Sequence, residues 1–225
     1  MRLSIIIPVL DEERTIGSTL EALGSLVVEE VLVVDGGSTD GTREIVAHKH
    51  ATLVSSPRGR AHQMNHGARL AKGDVLLFLH ADTRLPPSAT SDILSALEDP
   101  RCVGGRFDLR LDGERWIFWL IGNLISLRSR LTKVATGDQA IFVRRQVFEE
   151  IGGFPDIPLM EDIAFCRMLK KKGRVACLRS QVVTSSRRWG AEGVGRTILK
   201  MWVLRLLFLA GISPFRLKRF YGEAR

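Results

Sequence analysis

Cysteine is scarce in this chain of 225 residues: Cys102, Cys166 and Cys177 are widely spaced and form no CxxC pair. An odd, scattered set excludes a disulfide framework and a zinc ribbon, and predicts reduced, buried thiols in a cytosolic protein. Glycine-rich phosphate cradles are missing as well. No GxGxxG follows the first apolar run and no GxxxxGK[ST] occurs, which argues against the usual dinucleotide and P-loop sites. There is no internal repeat and no low-complexity segment. The opening run Leu3–Leu10 is too short for a signal peptide, contains Pro8 and leads straight into acids. No uninterrupted apolar stretch reaches the ~20 residues of a membrane span. RNA-binding aromatic signatures and zinc-finger spacings are also lacking, so nucleic acid is not an expected partner.

What is present is an ordinary globular composition, 45% hydrophobic and 26% charged, with a formal charge of +8. The first half mixes acids and bases, whereas the last forty residues are rich in Arg and Lys and poor in acids. That asymmetry points to a membrane surface or an anionic acceptor.

Along the chain, Leu3–Val9, Val31–Val34, Thr52–Val54 and Val75–Leu79 read as buried strands, rich in β-branched and other apolar residues. Helices are predicted between them: one through Ile16, Leu20 and Leu23 with Asp11 as its cap, one through Ile45, Arg60–Leu70, and one opened by Pro86-Pro87 that reaches Leu97. This alternation predicts an α/β, Rossmann-like fold, a mostly parallel sheet flanked by helices. The second half reads as a strand at Cys102–Leu111, a helix at Trp116–Leu127, a strand at Ala140–Val143, helices at Val147–Ile151 and Ile163–Leu169, and a strand at Val175–Leu178. An apolar C-terminal helix runs from Thr197 to Ile212. Residues 1–190 form the expected domain. Its ligand-binding region spans residues 1–100 and its catalytic region residues 101–190, and a helical tail follows at 191–225.

Ligands of open α/β sheets bind outside the carboxyl ends of the strands. Three polar loops fall there: Asp11-Glu12, Asp35, and His80-Ala81-Asp82. One aspartate after a strand is usually a helix cap; three on one edge suggest a polar cleft. A diphosphate bound there without a glycine cradle needs a divalent cation, Mn²⁺ or Mg²⁺, for which Asp82 is suited. His80 suits Mn²⁺ better than Mg²⁺.

The segments Ser4–Glu12 and Val31–Thr42, Gly59 to Gly67, Ala71–Asp74, Leu77–Asp82, Gly152-Gly153-Phe154 and Glu161-Asp162 together resemble the family 2 inverting glycosyltransferases of the GT-A fold, over roughly the first 190 residues. The short length and the His-Ala-Asp form are similar to a small bacterial branch of radical-SAM/selenodomain-associated transferases. The resemblance implies a nucleotide-diphosphate sugar as donor and a hydroxyl acceptor: a lipid carrier, a metabolite or a glycan. Pro8, Leu10, Glu12, Asp35, Arg60 and Ala81 would hold the nucleotide, Asp82 and His80 the metal. Asp162, beside Glu161, would be the general base, Asp138 would lie at the acceptor, Arg188 would meet the diphosphate and Trp189 would stack on a sugar. Two departures stand out: His80 replaces the first acid of the Asp-x-Asp motif, and Gly36 replaces a second acid after the second strand. Ser185–Trp189 resembles the Gln-x-x-Arg-Trp motif of processive members, but Ser185 replaces its glutamine, so processivity is not implied.

Each feature has a plainer reading. Glu161-Asp162 suits a helix N-terminus, Asp138 a turn, and Arg187-Arg188 a solvated surface pair. His62 and His66 lie four apart on a helix without a third ligand nearby. The tail helix packs in the core, forms a homodimer contact, or lies on the inner face of the cell membrane. Two other functions compete: a catalytically inactive sugar-nucleotide scaffold and a sugar nucleotidyltransferase. The latter needs a basic, Gly-rich loop where Asp11-Glu12-Glu13 stands.

Overall fold

The computed structural model describes residues 1–187 and 193–221. Eight strands form one sheet in the order β3-β2-β1-β4-β7-β6-β8-β5. Its first half comprises β1 (Leu3–Val9), β2 (Glu30–Asp35), β3 (Thr52–Ser55) and β4 (Val75–Phe78), joined by helices α1 (Ile16–Leu23), α2 (Thr42–Ala47) and α3 (Arg60–Leu70). These four strands pair in parallel. Beyond β4 the sheet is mixed. β7 (Ile141–Arg144) runs antiparallel to both β4 and β6 (Cys102–Leu111), while β6 and β8 (Arg174–Thr184) are parallel.

Alternate side chains of the central strands feed two cores. Ile5, Ile7, Val33 and Leu77 face α1, α4 (Ala89–Ala96) and α5 (Trp116–Thr132). Ile6, Val34, Leu76 and Phe78 face α3, α6 (Arg145–Glu150), α7 (Glu161–Leu169) and the tail. A strand buried on both faces must be apolar at every position, which is why these runs read so clearly. Close approach of α3 to the sheet requires Gly67: a Cβ there would stand 2.6 Å from Ile6 Cγ2 and 2.9 Å from Val34 Cγ2.

Several expectations are corrected. Asp11 does not cap α1; Thr15 is the N-cap residue, and the Asp11 carboxylate instead accepts the Thr39 N–H at 2.8 Å. α5 continues five residues past Leu127, to Thr132, and β8 extends from Leu178 to Thr184. Both extensions are amphipathic or polar stretches whose tertiary partners decide their structure. A two-residue strand after Asp82, β5 (Thr83–Arg84), pairs with Thr184 and Val183 of β8. Cys102 and Cys166 are buried, as expected, but Cys177 is only partly so; all three are free.

The tail forms α8 (Val194–Leu209) and α9 (Pro214–Tyr221). Leu204 and Leu217 are buried in the same core as Ile6 and Val34, so the tail packs on the domain. Its outer face stays apolar, with Leu199, Trp202, Val203, Leu206 and Leu209 exposed. No helix among the described residues is long and apolar enough to cross a membrane.

Candidate active site

The ends of β1 and β2 are stitched together by the protein's own hydrogen bonds. Asp35 is fully buried, and its carboxylate accepts the Ser38 N–H at 3.1 Å and the Ser38 hydroxyl at 2.5 Å; Arg43 Nη1 lies 3.2 Å away. The side chain therefore holds its own loop. Gln63 of α3, also buried, donates from Nε2 to the Val9 and Val34 carbonyls, both at 2.7 Å. A Cβ on Gly36 would lie 3.1 Å from the Gln63 amide, so the missing acid at that position leaves room for this clamp. Pro8, Leu10 and Glu12 lie half-buried at the end of β1. Glu12 accepts the Thr15 hydroxyl at 2.8 Å, and its pKa is raised by burial.

His80-Ala81-Asp82 turns the chain from β4 into β5. The Ala81 carbonyl accepts the Thr19 hydroxyl at 2.6 Å, and the Thr83 and Thr184 hydroxyls bond at 2.9 Å. Pairing of β5 with β8 brings Arg187, just past β8, to the same edge, where its Nη2 lies 3.7 Å from Glu12 Oε2. Burial raises the Asp82 pKa; the charge of Arg187 opposes that shift and the charge of Asp138 adds to it. Asp82, Glu12, Asp138, Arg60 and Arg187 thus share one electrostatic neighbourhood.

Asp162 opens α7 opposite this edge. Its carboxylate accepts the Gly137 N–H at 2.7 Å and its own helix's Ile163 N–H at 2.6 Å. Burial beside the charge of Glu161 pushes its pKa up to about 6, despite those hydrogen bonds. Glu161 is buried and paired with exposed Arg60, Nη1 to Oε1 at 3.6 Å. Asp138 lies in a single 3₁₀ turn, Gly137–Gln139, where it accepts the Thr136 hydroxyl at 2.5 Å. Gly137 lets His80 close over the turn, since a Cβ there would be 2.5 Å from His80 Nε2. Two non-glycine residues flank this region at positive φ, Ala140 at 48° and Met160 at 67°. Strained backbone of this kind persists where surrounding structure fixes it, and it clusters at functional sites.

A small pocket between these pieces is lined by Pro8, Arg60, His80, Gly137, Glu161 and Asp162, together with Phe78 and Phe154. The structure thus brings together the expected residues Pro8, Arg60, His80, Asp82, Asp138, Glu161 and Asp162. It keeps Asp35 below the surface. Arg188 and Trp189 lie outside the described residues. His62 pairs with Asp156 at 3.1 Å and His66 with Arg69 at 3.2 Å, so the histidines of α3 do not converge. Among the described residues no three His, Cys, Asp or Glu side chains are placed to hold a metal by themselves. Sequence reasoning missed Gln63, whose only signal was a polar residue on the inner face of α3. It also missed Asn65, which exchanges hydrogen bonds of 2.8 and 2.9 Å with the Phe154 backbone and pins the Gly152-Gly153-Phe154 loop.

The profile of "Glycosyl transferase family 2" matches residues 4–171. A "PGL/p-HBAD biosynthesis glycosyltransferase" of Mycobacterium bovis is 32% identical over 164 residues, 67% of this chain and 62% of the relative. Among solved structures, S. aureus TarS 1-349 in complex with UDP superposes with a TM-score of 0.68 at 19% identity, covering 82% of this chain and 60% of that one. The mannosyltransferase PcManGT from Pyrobaculum calidifontis, in complex with GDP-Man and Mn²⁺, gives 0.64 at 24% identity, covering 81% and 56%. The chain thus spans less than two thirds of the length of each of these proteins, and the architecture is the GT-A fold that they share.

Proposed function

The chain belongs to glycosyl transferase family 2, and on that premise we propose that it moves a sugar from a nucleotide-diphosphate donor to a hydroxyl acceptor with inversion at the anomeric carbon. The observation that carries this reading is Asp162: a carboxylate with a raised pKa, fixed by two backbone N–H groups, lining one small pocket with Pro8 of β1 and with His80 just past β4. A base poised near neutral pH suits removal of an acceptor proton.

In this reading the nucleotide lies on Pro8, Leu10 and Glu12, above the loop that Asp35 and Gln63 brace. Among the described residues, Arg60 and Arg187 are the cations whose charge acts on both Glu12 and Asp82, and they would face the diphosphate. The acceptor oxygen attacks the anomeric carbon, its proton passes to Asp162, and the bond from that carbon to the diphosphate oxygen breaks on the opposite face. Glu161, paired with Arg60, keeps negative charge beside Asp162 and so keeps it basic.

The site also suits a divalent cation. Asp82 and Asp138 bring two carboxylates near one another at a partly desolvated edge, which raises the Asp82 pKa. Asp82 and Asp138 would hold the cation, and with no third carboxylate, histidine or cysteine grouped there among the described residues, oxygens of the donor would have to complete it. When bound, Mn²⁺ or Mg²⁺ would neutralise charge on the leaving diphosphate. A solved relative in the fold carries GDP-Man with Mn²⁺, which supports the assignment. Titration calorimetry with UDP and GDP, with and without Mn²⁺, tests it. One nucleotide is expected to bind, and to bind about tenfold more weakly without metal; failure of both to bind would remove the transfer reading.

A further inference from the structure

Two arginines that take no part in the chemistry above meet beside Asp162. Arg128 belongs to α5 and Arg205 to α8. They lie within electrostatic reach of each other, and both are within reach of Asp162; Arg128 also senses Asp138. No ion pair among the described residues engages either one. Three of their buried donor atoms, Arg128 Nε and Nη2 and Arg205 Nη1, have no hydrogen-bond partner among the described residues. Burial, and then the charge of Arg205, pushes the Arg128 guanidinium down to about 10.

Such a pair is unfavourable by itself. Buried donors are normally satisfied, and like charges out of water repel. An arrangement of this kind is stable when a ligand supplies the missing acceptors. Guanidinium forks match phosphate oxygens in bidentate fashion, which an apolar or neutral sugar cannot do. The donor diphosphate is the wrong occupant, because Arg60 and Arg187 act on Glu12 and Asp82, whereas neither Arg128 nor Arg205 is among the main charges felt by those two carboxylates, and Arg205 acts on Asp162 and Cys166 instead.

We propose that Arg128 and Arg205 form an anion subsite that holds a phosphate group of the acceptor, placing its hydroxyl against Asp162. This assignment rests on the transfer reading given above. The phosphate has two possible sources: a phosphorylated metabolite, or a lipid that carries a phosphate monoester beside a free hydroxyl, the phosphate being the part that phosphatidic acid reproduces as a probe. The helices that carry the two arginines expose apolar stripes, Trp116, Leu124, Leu127 and Leu131 on α5 and Leu199, Trp202 and Leu206 on α8.

The test measures thermal unfolding in glycerol 3-phosphate, UDP binding with Mn²⁺, and sedimentation with vesicles of phosphatidic acid against vesicles of phosphatidylcholine. Glycerol phosphate should raise the wild-type Tm. In Arg128→Gln and Arg205→Gln its affinity should fall about tenfold, the size expected for a charge-assisted hydrogen-bond pair, with UDP binding unchanged. Both variants should melt no lower than wild type without phosphate, since each removes a buried, unsatisfied cation. If either fails to fold, Arg128→Lys and Arg205→Lys keep the charge, lose the fork, and should bind phosphate with intermediate affinity. Phosphatidic-acid binding that both Gln variants lose assigns the lipid source; glycerol phosphate binding without vesicle binding assigns the metabolite. Equal stabilisation of wild type and both Gln variants by phosphate, or none in any of them, overturns the subsite while UDP binding preserves the transfer reading. A wild type that binds glycerol phosphate but no nucleotide refutes the transfer reading instead.

Discussion

In the proposed reaction, Asp162 joins acid–base chemistry to stability in one side chain. With its pKa pushed up to about 6, kcat/KM should fall as pH drops through that value, well above the range of an ordinary aspartate. Asp162→Asn should lower kcat by about 10²–10⁴ while nucleotide affinity stays constant, as loss of a general base requires. The same residue should oppose folding. Because the native state binds the Asp162 proton more tightly than the unfolded state does, the native state loses stability as pH rises through about 6 and regains it below. Asp162→Asn should therefore melt higher than wild type at pH 7, with the gap closing towards pH 4; a variant that melts lower at both pH values would refute the burial argument. Asp82→Asn should remove most of the metal dependence of nucleotide binding, a loss of about tenfold that calorimetry reads directly. These carboxylates were legible in the sequence because each follows a strand or opens a helix. The consumption of Asp35 by its own loop was not legible, because it depends on where Ser38 and Arg43 fold back.

At the level of elements, α5 is held by a polar core that no periodicity revealed. Asp108 of β6 is buried and pairs with Arg106 and Arg130, and Arg106 Nη2 donates to the Ser126 carbonyl at 3.1 Å. The Leu109 N–H donates to the Ser126 hydroxyl at 2.9 Å. This network fixes the helix that carries Arg128. Asp108→Ala leaves two cations without their partner and should destabilise the fold by about 3–5 kcal/mol in chemical denaturation. On the opposite face, Gly67→Val forces atoms onto Ile6 and Val34 and should cost about 1–3 kcal/mol. Wild-type stability in either variant would mean that the helix can move away from the sheet. The alternation of Cys102–Leu111 signalled a strand, but a buried Arg106 and Asp108 on that strand become intelligible only with α5 in place.

Over the whole molecule, the apolar tail is a working component of the core. Leu204 and Leu217 are 3% and 0% exposed and lie with Ile6, Val34 and Phe78. Leu204→Ala and Leu217→Ala should each lose about 2–5 kcal/mol, against almost nothing for Leu199→Ala on the outer face. Equal, small losses at all three positions would mean that the tail is only loosely docked. The mixed half of the sheet has a similar origin. β5 closes onto β8 across a hundred residues of chain, and that closure carries Arg187 to Asp82 and Glu12.

The sequence alone determined the parallel half of the sheet, the helices between its strands and the identity of the acidic loops at its edge. It could do so because doubly buried strands must be apolar throughout and because their carboxyl ends are where polar residues can face a ligand. Tertiary structure decided the rest: which acids share a field, which one spends its carboxylate on its own loop, and where two arginines on separate helices converge. Those facts depend on contacts between residues far apart in the chain, and such contacts leave no local period or spacing to read.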